Sequence, residues 1–209
     1  MGTVSHEPVI FTIGHSTHAI ERFVDLLRQH GVTAVADVRS VPYSRTQPQF
    51  NRKALAEALK DHDIAHVFLG KELGARSDDR ACYENGRVRY RRLAMTEAFR
   101  RGLERVRAGS EHHRIALMCA EREPLECHRA LLVSRELVAA GTAVAHIHAD
   151  GHLEPHADAM TRLLRLVGLP AEDLFRSQSE LVAEAYGRQE ERVAYVDDEL
   201  EREAREARS

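Results

Sequence analysis

Short apolar runs and stretches of helical periodicity alternate along this chain, and that alternation restricts the fold more than any other feature. Residues 9–13, 33–38, 64–69, 115–118 and 143–147 are apolar runs too short for buried helices, and they read as strands. Between the first two, Ile20, Phe23, Val24, Leu26 and Leu27 recur at helical spacing until Gly31. A second helix starts near Asn51, a reasonable cap, and carries Ala54, Leu55, Ala58 and Leu59. A third opens at Thr96, and a fourth spans residues 129–140. Strands alternating with helices predict a three-layer, Rossmann-like α/β domain. Its sheet, of about five mostly parallel strands, is covered on both faces. A doubly wound order of 3-2-1-4-5 would set strands one and four side by side at the switch point.

Parallel strands point their carboxyl ends one way, so residues just after each strand share one edge of the sheet. Gly14, His15 and Ser16 follow strand one; Asp37, Arg39, Ser44 and Arg45 follow strand two; Gly70, Lys71 and Glu72 follow strand three. Cys119 and Glu121 follow strand four, and His146 and His148 end strand five. The densest chemistry is in LMCAEREPLECHR, residues 117–129, which has two cysteines, three glutamates, a histidine and two arginines behind a buried strand. That segment is the first place to look for a site.

Four stretches, FTIGHSTHAIERF, VADVRSVPYSR, LGKELGAR and LMCAEREPLECHR, stand in this order. Together they resemble the domain of unknown function 488 family of small bacterial and archaeal proteins, over roughly residues 9 to 165. The resemblance implies one α/β domain, taken as residues 1–168; from there the composition turns to Glu, Arg and Ala, and residues 169–209, ending ELEREAREARS, read as a charged helical extension. In the extension, Leu181, Val182 and Ala185 supply one apolar stripe and Val193, Val196 and Leu200 another. It reads as two helices packed on the domain or on a second subunit, a route to a homo-oligomer. The family name supplies no reaction, so the chemistry rests on the residues.

Arg39, Arg45 and Arg129 are the family-matching arginines. Arg129 opens a helix, where backbone N–H groups already favour an anion, so the three are expected to hold a phosphate or carboxylate, with Arg129 open to solvent. Ser16, Ser44 and His128 join them as substrate-binding residues. The competing reading pairs Arg39 with Asp37 or Glu121 to knit loops. Asp37 and Glu121 form a carboxylate pair for acid/base or nucleophilic work, and His15 is a general acid or base near neutral pH. Cys127, at a helix start beside arginines, is a nucleophile or redox thiol, whereas Cys119 reads as structural. The eight-residue spacing of the two cysteines is not that of CxxC, and the phosphatase loop does not match either, since the sixth position after Cys119, where that loop carries an Arg, is Leu125. A metal site on Cys119, Cys127 and His128 needs ligands at adjacent positions, so no metal ligand is assigned and the cofactor is left open.

Several classes fall away. Gly14 stands without the further glycines of a dinucleotide fingerprint, and neither a Walker sequence nor a GxSxG elbow occurs. No apolar run approaches the roughly 20 residues a membrane helix needs, and the N-terminus lacks the pattern of a signal peptide. Three cysteines, an odd count, agree with a reducing compartment, so the cytoplasm is expected. Net charge is −3, but Arg87, Arg89, Arg91 and Arg92, then Arg100, Arg101, Arg105 and Arg107, form a basic run. The stretch from Gly70 to Arg92 reads as an irregular lid or binding loop with Cys82 exposed. The leading reading is an enzyme of hydrolytic, glycosidic or transfer chemistry on a phosphate-bearing substrate such as a nucleotide or nucleic-acid fragment. The alternatives are a non-catalytic module binding an anion or nucleic acid, and a thiol- or metal-dependent enzyme using Cys119, Cys127 and His128.

Overall fold

The structure is a computed structural model that describes residues 9–208. Its strands are β1 (Ile10–Gly14), β2 (Ala34–Asp37), β3 (Ala65–Phe68), β4 (Tyr83–Glu84), β5 (Arg87–Val88), β6 (Ile115–Cys119), β7 (Val144–Ile147) and β8 (Leu153–Pro155). Its helices are α1 (Ile20–Gln29), α2 (Arg52–Lys60), α3 (Gly70–Leu73), α4 (Tyr90–Ala94), α5 (Glu97–Ser110), α6 (Arg135–Ala139), α7 (His156–Leu166), α8 (Gln178–Val193) and α9 (Asp198–Glu206). Six strands form one sheet in the order β3-β2-β6-β1-β7-β8. Every neighbouring pair in it is parallel except β7 with β8.

Alternate strand residues face opposite layers. Phe11, Ile13, Val35, Ala116 and Met118 pack against Phe23, Val24, Leu26 and Leu27 of α1 and Leu55 and Leu59 of α2. Ile10, Ala36, Leu117 and Cys119 face the other way, toward Phe99 and Val106 of α5, Leu131, Leu137 of α6, and Leu163 and Leu164 of α7. Each fully buried side chain of this kind contributes about 1.5–3 kcal/mol. The α/β, three-layer, mostly parallel architecture follows the sequence reading.

The strand order corrects that reading. The fourth predicted strand, β6, does not sit outside strand one but inserts between β1 and β2. Both arrangements satisfy right-handed crossovers, so chirality could not choose between them. The consequence is local. The chain leaves β1 and β2 toward the α1/α2 face and leaves β6 toward the opposite face, which opens a crevice at the carboxyl end of β6. Two glycines let loops close over it. A Cβ on Gly14 would lie 1.9 Å from the Glu121 carbonyl oxygen, and one on Gly70 1.9 Å from that of Arg39.

The stretch expected to be an irregular lid is built instead of α3, the β4–β5 hairpin and α4, with Cys82, Tyr83, Val88 and Tyr90 buried. Cys82, expected to be exposed, is only 2 % accessible, because it joins the core beside Leu73 and Leu93. Much of the basic run is paired with acids: Arg87 and Arg89 with Glu191, Arg89 and Arg92 with Glu84, Arg101 with Glu97, and Arg105 with Glu72. The tail continues the same core. A capping box at Ser177 and Glu180 starts α8, which buries Leu181, Ala185 and Tyr186. The chain after α8 clasps the hairpin, with the Val88 N–H donating to the Tyr195 carbonyl at 2.9 Å and the Asp197 N–H to that of Gly86 at 2.8 Å. Among the described residues no helix is long and apolar enough to cross a membrane.

Candidate functional site

At the end of β6 a cavity of about 470 Å³ opens between the β6 loop, the β2 loop and the start of α4. Arg39, Tyr90, Cys119, Glu121, Cys127 and His128 are among its lining residues, with Tyr43, Arg76 and Tyr195 also contributing. Cys119 closes β6. Residues 124–126 make a single 3-10 turn, after which Cys127 is extended (φ −139°, ψ 141°) and His128 helical (φ −59°, ψ −24°). This abrupt change of backbone brings both side chains toward Cys119, which neither a regular helix nor a strand would do for adjacent residues. The next six residues, Arg129–Ser134, form a π-helical segment, a geometry frequent at functional sites.

The result is a compact cluster. Cys119 Sγ and Cys127 Sγ lie 3.7 Å and 3.8 Å from His128 Nδ1, and Glu121 Oε2 lies 2.9 Å from Cys127 Sγ. His128 Nε2 reaches the Val38 carbonyl at 3.0 Å, and the Arg129 N–H points at Cys127 Sγ at 3.4 Å. Burial pushes the Cys119 thiol well up, and the neighbouring Cys127 adds to this. Burial opposes ionisation of Cys127 too, but its hydrogen bond with Cys119 and the charges of Arg129 and His128 outweigh it and hold that thiol well below its ordinary value. Burial would discharge His128, yet Cys127 keeps its pKa raised. Burial and then the Cys127 charge raise the Glu121 carboxyl. Glu121 as a residue is exposed, while its carboxyl tip rests against the sulfur.

Beside this cluster lies a second, locked group. Arg39 donates from Nε to Asp37 Oδ1 at 2.9 Å and from Nη2 to Asp37 Oδ2 at 2.7 Å and to the Phe50 carbonyl at 2.8 Å. Its Nη1 meets His15 Nε2 at 3.2 Å, across the intervening β6. Burial would raise the Asp37 carboxyl, but Arg39 and the nearby His66 hold it below its usual range. His15 stacks on Phe50 at 4.4 Å between ring centroids, and burial, aided by Arg39, lowers its pKa to about 4. This favours the neutral imidazole at neutral pH.

The remaining predicted residues are placed as follows. Arg129 is not open to solvent as expected: it is fully buried, donating to the carbonyls of Glu121 at 2.7 Å and Arg122 at 3.1 Å, because it braces the loop that carries the acid. Ser44 organises its own turn, its N–H donating to Asn51 Oδ1 at 2.7 Å, so Asn51 occupies the cap position of α2 without capping it through its side chain. Arg45 is exposed, Ser16 is half-buried with φ 47°, and neither lines the cavity. Arg76, Tyr90 and Tyr195 are among the lining residues that were not singled out from sequence. Arg76 ends the quoted LGKELGAR and stacks over the Tyr195 ring at 4.3 Å, with no ion pair among the described residues. Tyr90 and Tyr195 gave no signal, since the hairpin and the returning tail deliver them.

No curated protein and no solved structure matches the chain. One family does: residues 19–135, more than half of the sequence, match the domain of unknown function DUF488. The match contains Asp37, Arg39, Cys119, Glu121, Cys127, His128 and Arg129, while His15 and Ser16 lie just before it. The chain with this cysteine, histidine and glutamate cluster at the end of its central strand belongs to the DUF488 family.

Proposed function

We propose that the protein is an enzyme acting on a small phosphate-bearing substrate held in the cavity at the end of β6, with Glu121 as the proton-carrying group. One observation carries the reading: Cys119, Glu121, Cys127 and His128, from two stretches of chain, converge on the inner wall of a cavity of substrate size. The anion belongs at Arg76, whose guanidinium has no acidic partner among the described residues, and at the cavity edge of Arg39. Arg129 supports this indirectly, by fixing the Glu121 backbone. Asp37 is a positioning residue, since both its oxygens are held by Arg39.

The thiol route is the second reading, favoured by the Arg129 N–H directed at Cys127 Sγ. The two are separable. Phosphate-bearing small molecules are screened for protection of Cys127 from alkylation, and any protecting compound is assayed for turnover. Glu121→Gln is expected to bind that compound with little change and to turn it over on the order of 100-fold more slowly or worse. Undiminished turnover by Glu121→Gln, with loss in Cys127→Ser alone, transfers the chemistry to the thiol. Binding without turnover of any compound identifies a non-catalytic module and overturns the enzyme reading.

A further inference from the structure

The cluster has the dimensions of a coordination sphere. All three donor atoms, Cys119 Sγ, Cys127 Sγ and His128 Nδ1, lie within 4.8 Å of one another, and the two sulfur–nitrogen edges are 3.7 Å and 3.8 Å. A tetrahedral zinc ion with Zn–S of about 2.3 Å and Zn–N of about 2.0–2.1 Å requires sulfur–nitrogen edges of about 3.6 Å and a sulfur–sulfur edge of about 3.8 Å. The donors therefore need to shift by only a fraction of an ångström to close on such an ion.

The histidine is also held in the necessary tautomer. A backbone carbonyl only accepts, so the contact of His128 Nε2 with the Val38 oxygen at 3.0 Å puts the proton on Nε2. Once a metal ion displaces any proton on Nδ1, its lone pair is directed at the two sulfurs, the arrangement by which protein carbonyls orient metal-binding imidazoles. Two thiolates would neutralise a dication, so the buried sphere carries no net charge. Donors of this softness select zinc over magnesium or calcium, which prefer oxygen. The adjacency of Cys127 and His128, which counts against a metal site in the sequence, is resolved by the change from extended to helical backbone between them.

We propose that Cys119, Cys127 and His128 bind one zinc ion, with the fourth position open to the cavity and facing Glu121. Three protein ligands with an open position is the pattern of catalytic rather than structural zinc. A zinc ion held there would acidify a water in that position, with the Glu121 carboxyl placed to take its proton. That role rests on the enzyme reading above; the binding of the ion does not.

The test uses the full chain, treated with a chelator under reducing conditions and titrated with Co²⁺ as a spectroscopic stand-in. One equivalent should produce thiolate-to-cobalt charge-transfer absorption and the visible bands of four-coordinate cobalt, and Zn²⁺ should displace it stoichiometrically. Cys119→Ser, Cys127→Ser and His128→Ala should each weaken binding by a factor on the order of 100 or more, while Cys82→Ser leaves it unchanged. Should these variants fold poorly, the unmodified chain decides: Zn²⁺ should protect Cys119 and Cys127 from alkylation. Absence of charge-transfer absorption in protein with both thiols reduced, or alkylation indifferent to Zn²⁺, overturns the proposal. Glu121→Gln should still bind one metal ion. Metal bound with turnover undiminished in Glu121→Gln sinks the proton-carrying role of Glu121 alone, metal bound with no turnover of any compound sinks the enzyme reading alone, and full turnover by metal-free protein sinks the catalytic zinc alone.

Discussion

At the scale of single residues, the same side chain type does opposite things according to burial. Arg76 and Arg129 both lie in or next to family motifs, yet one lies at the cavity wall and the other is enclosed in the fold. For a buried guanidinium on two carbonyls, removal of the charge leaves those acceptors without donors. Arg129→Gln is therefore expected to cost about 2–4 kcal/mol in chemical denaturation, and to loosen residues 121–122. An unchanged denaturation midpoint would show that the bracing is dispensable. The Asp37–Arg39 pair follows the same logic: it fixes one wall of the cavity, and breaking either partner strands a charge inside.

At the scale of elements, the site depends on how closely the β6 loop lies on the end of β1. His15 N–H donates to the Cys119 carbonyl at 2.9 Å and Ser16 N–H to that of Ala120 at 2.9 Å, a continuation of the β1–β6 ladder into the loops. Gly14 makes this approach feasible, because any Cβ there would overlap the Glu121 carbonyl. Gly14→Ala should displace residues 119–122, raise the alkylation rate of Cys127 and lower its affinity for Co²⁺. The contrary result, wild-type alkylation kinetics with a wild-type Tm, would mean that the loop is not held by this contact.

At the scale of the whole molecule, buried neutral histidines set the acid limit of stability. Thr12 Oγ1 meets His146 Nδ1 at 2.8 Å, His146 Nε2 meets His156 Nδ1 at 3.0 Å, and His156 Nε2 meets the Tyr186 hydroxyl at 2.8 Å, linking β1, β7, α7 and α8. Burial lowers His156 to about 4, lowers His15 likewise to about 4, and holds His146 well below its ordinary value. In the unfolded chain these groups titrate at about 6.5, so below that pH the unfolded state binds more protons. The contribution of these three histidines should thus be level above about pH 6.5 and be lost as the pH falls through the window down to about 4. The Asp37 contribution is lost only at lower pH, because its folded value is depressed. Urea midpoints constant between pH 7 and pH 4 would contradict this account.

What the sequence determined by itself is what depends on near neighbours along the chain. The apolar runs at residues 10–13 and 115–118, and the period of Phe23, Val24 and Leu27, specify strand and helix locally. Parallel strands then gather Cys119, Glu121, Asp37 and His15 at one edge whatever the strand order. Tertiary structure decided what depends on distant partners. The slot between β1 and β2 was filled by β6 because the crossovers permit it, and no local propensity encodes that choice. The burial of Arg129 and Cys82, and the arrival of Tyr90 and Tyr195 at the cavity, are likewise set by packing between segments far apart in sequence. The contact of Cys127 and His128 with Cys119 required both the backbone break at residue 127 and a strand ending opposite it. Spacing alone made the pair look unfit for a shared ligand, because spacing carries no information about where a chain turns.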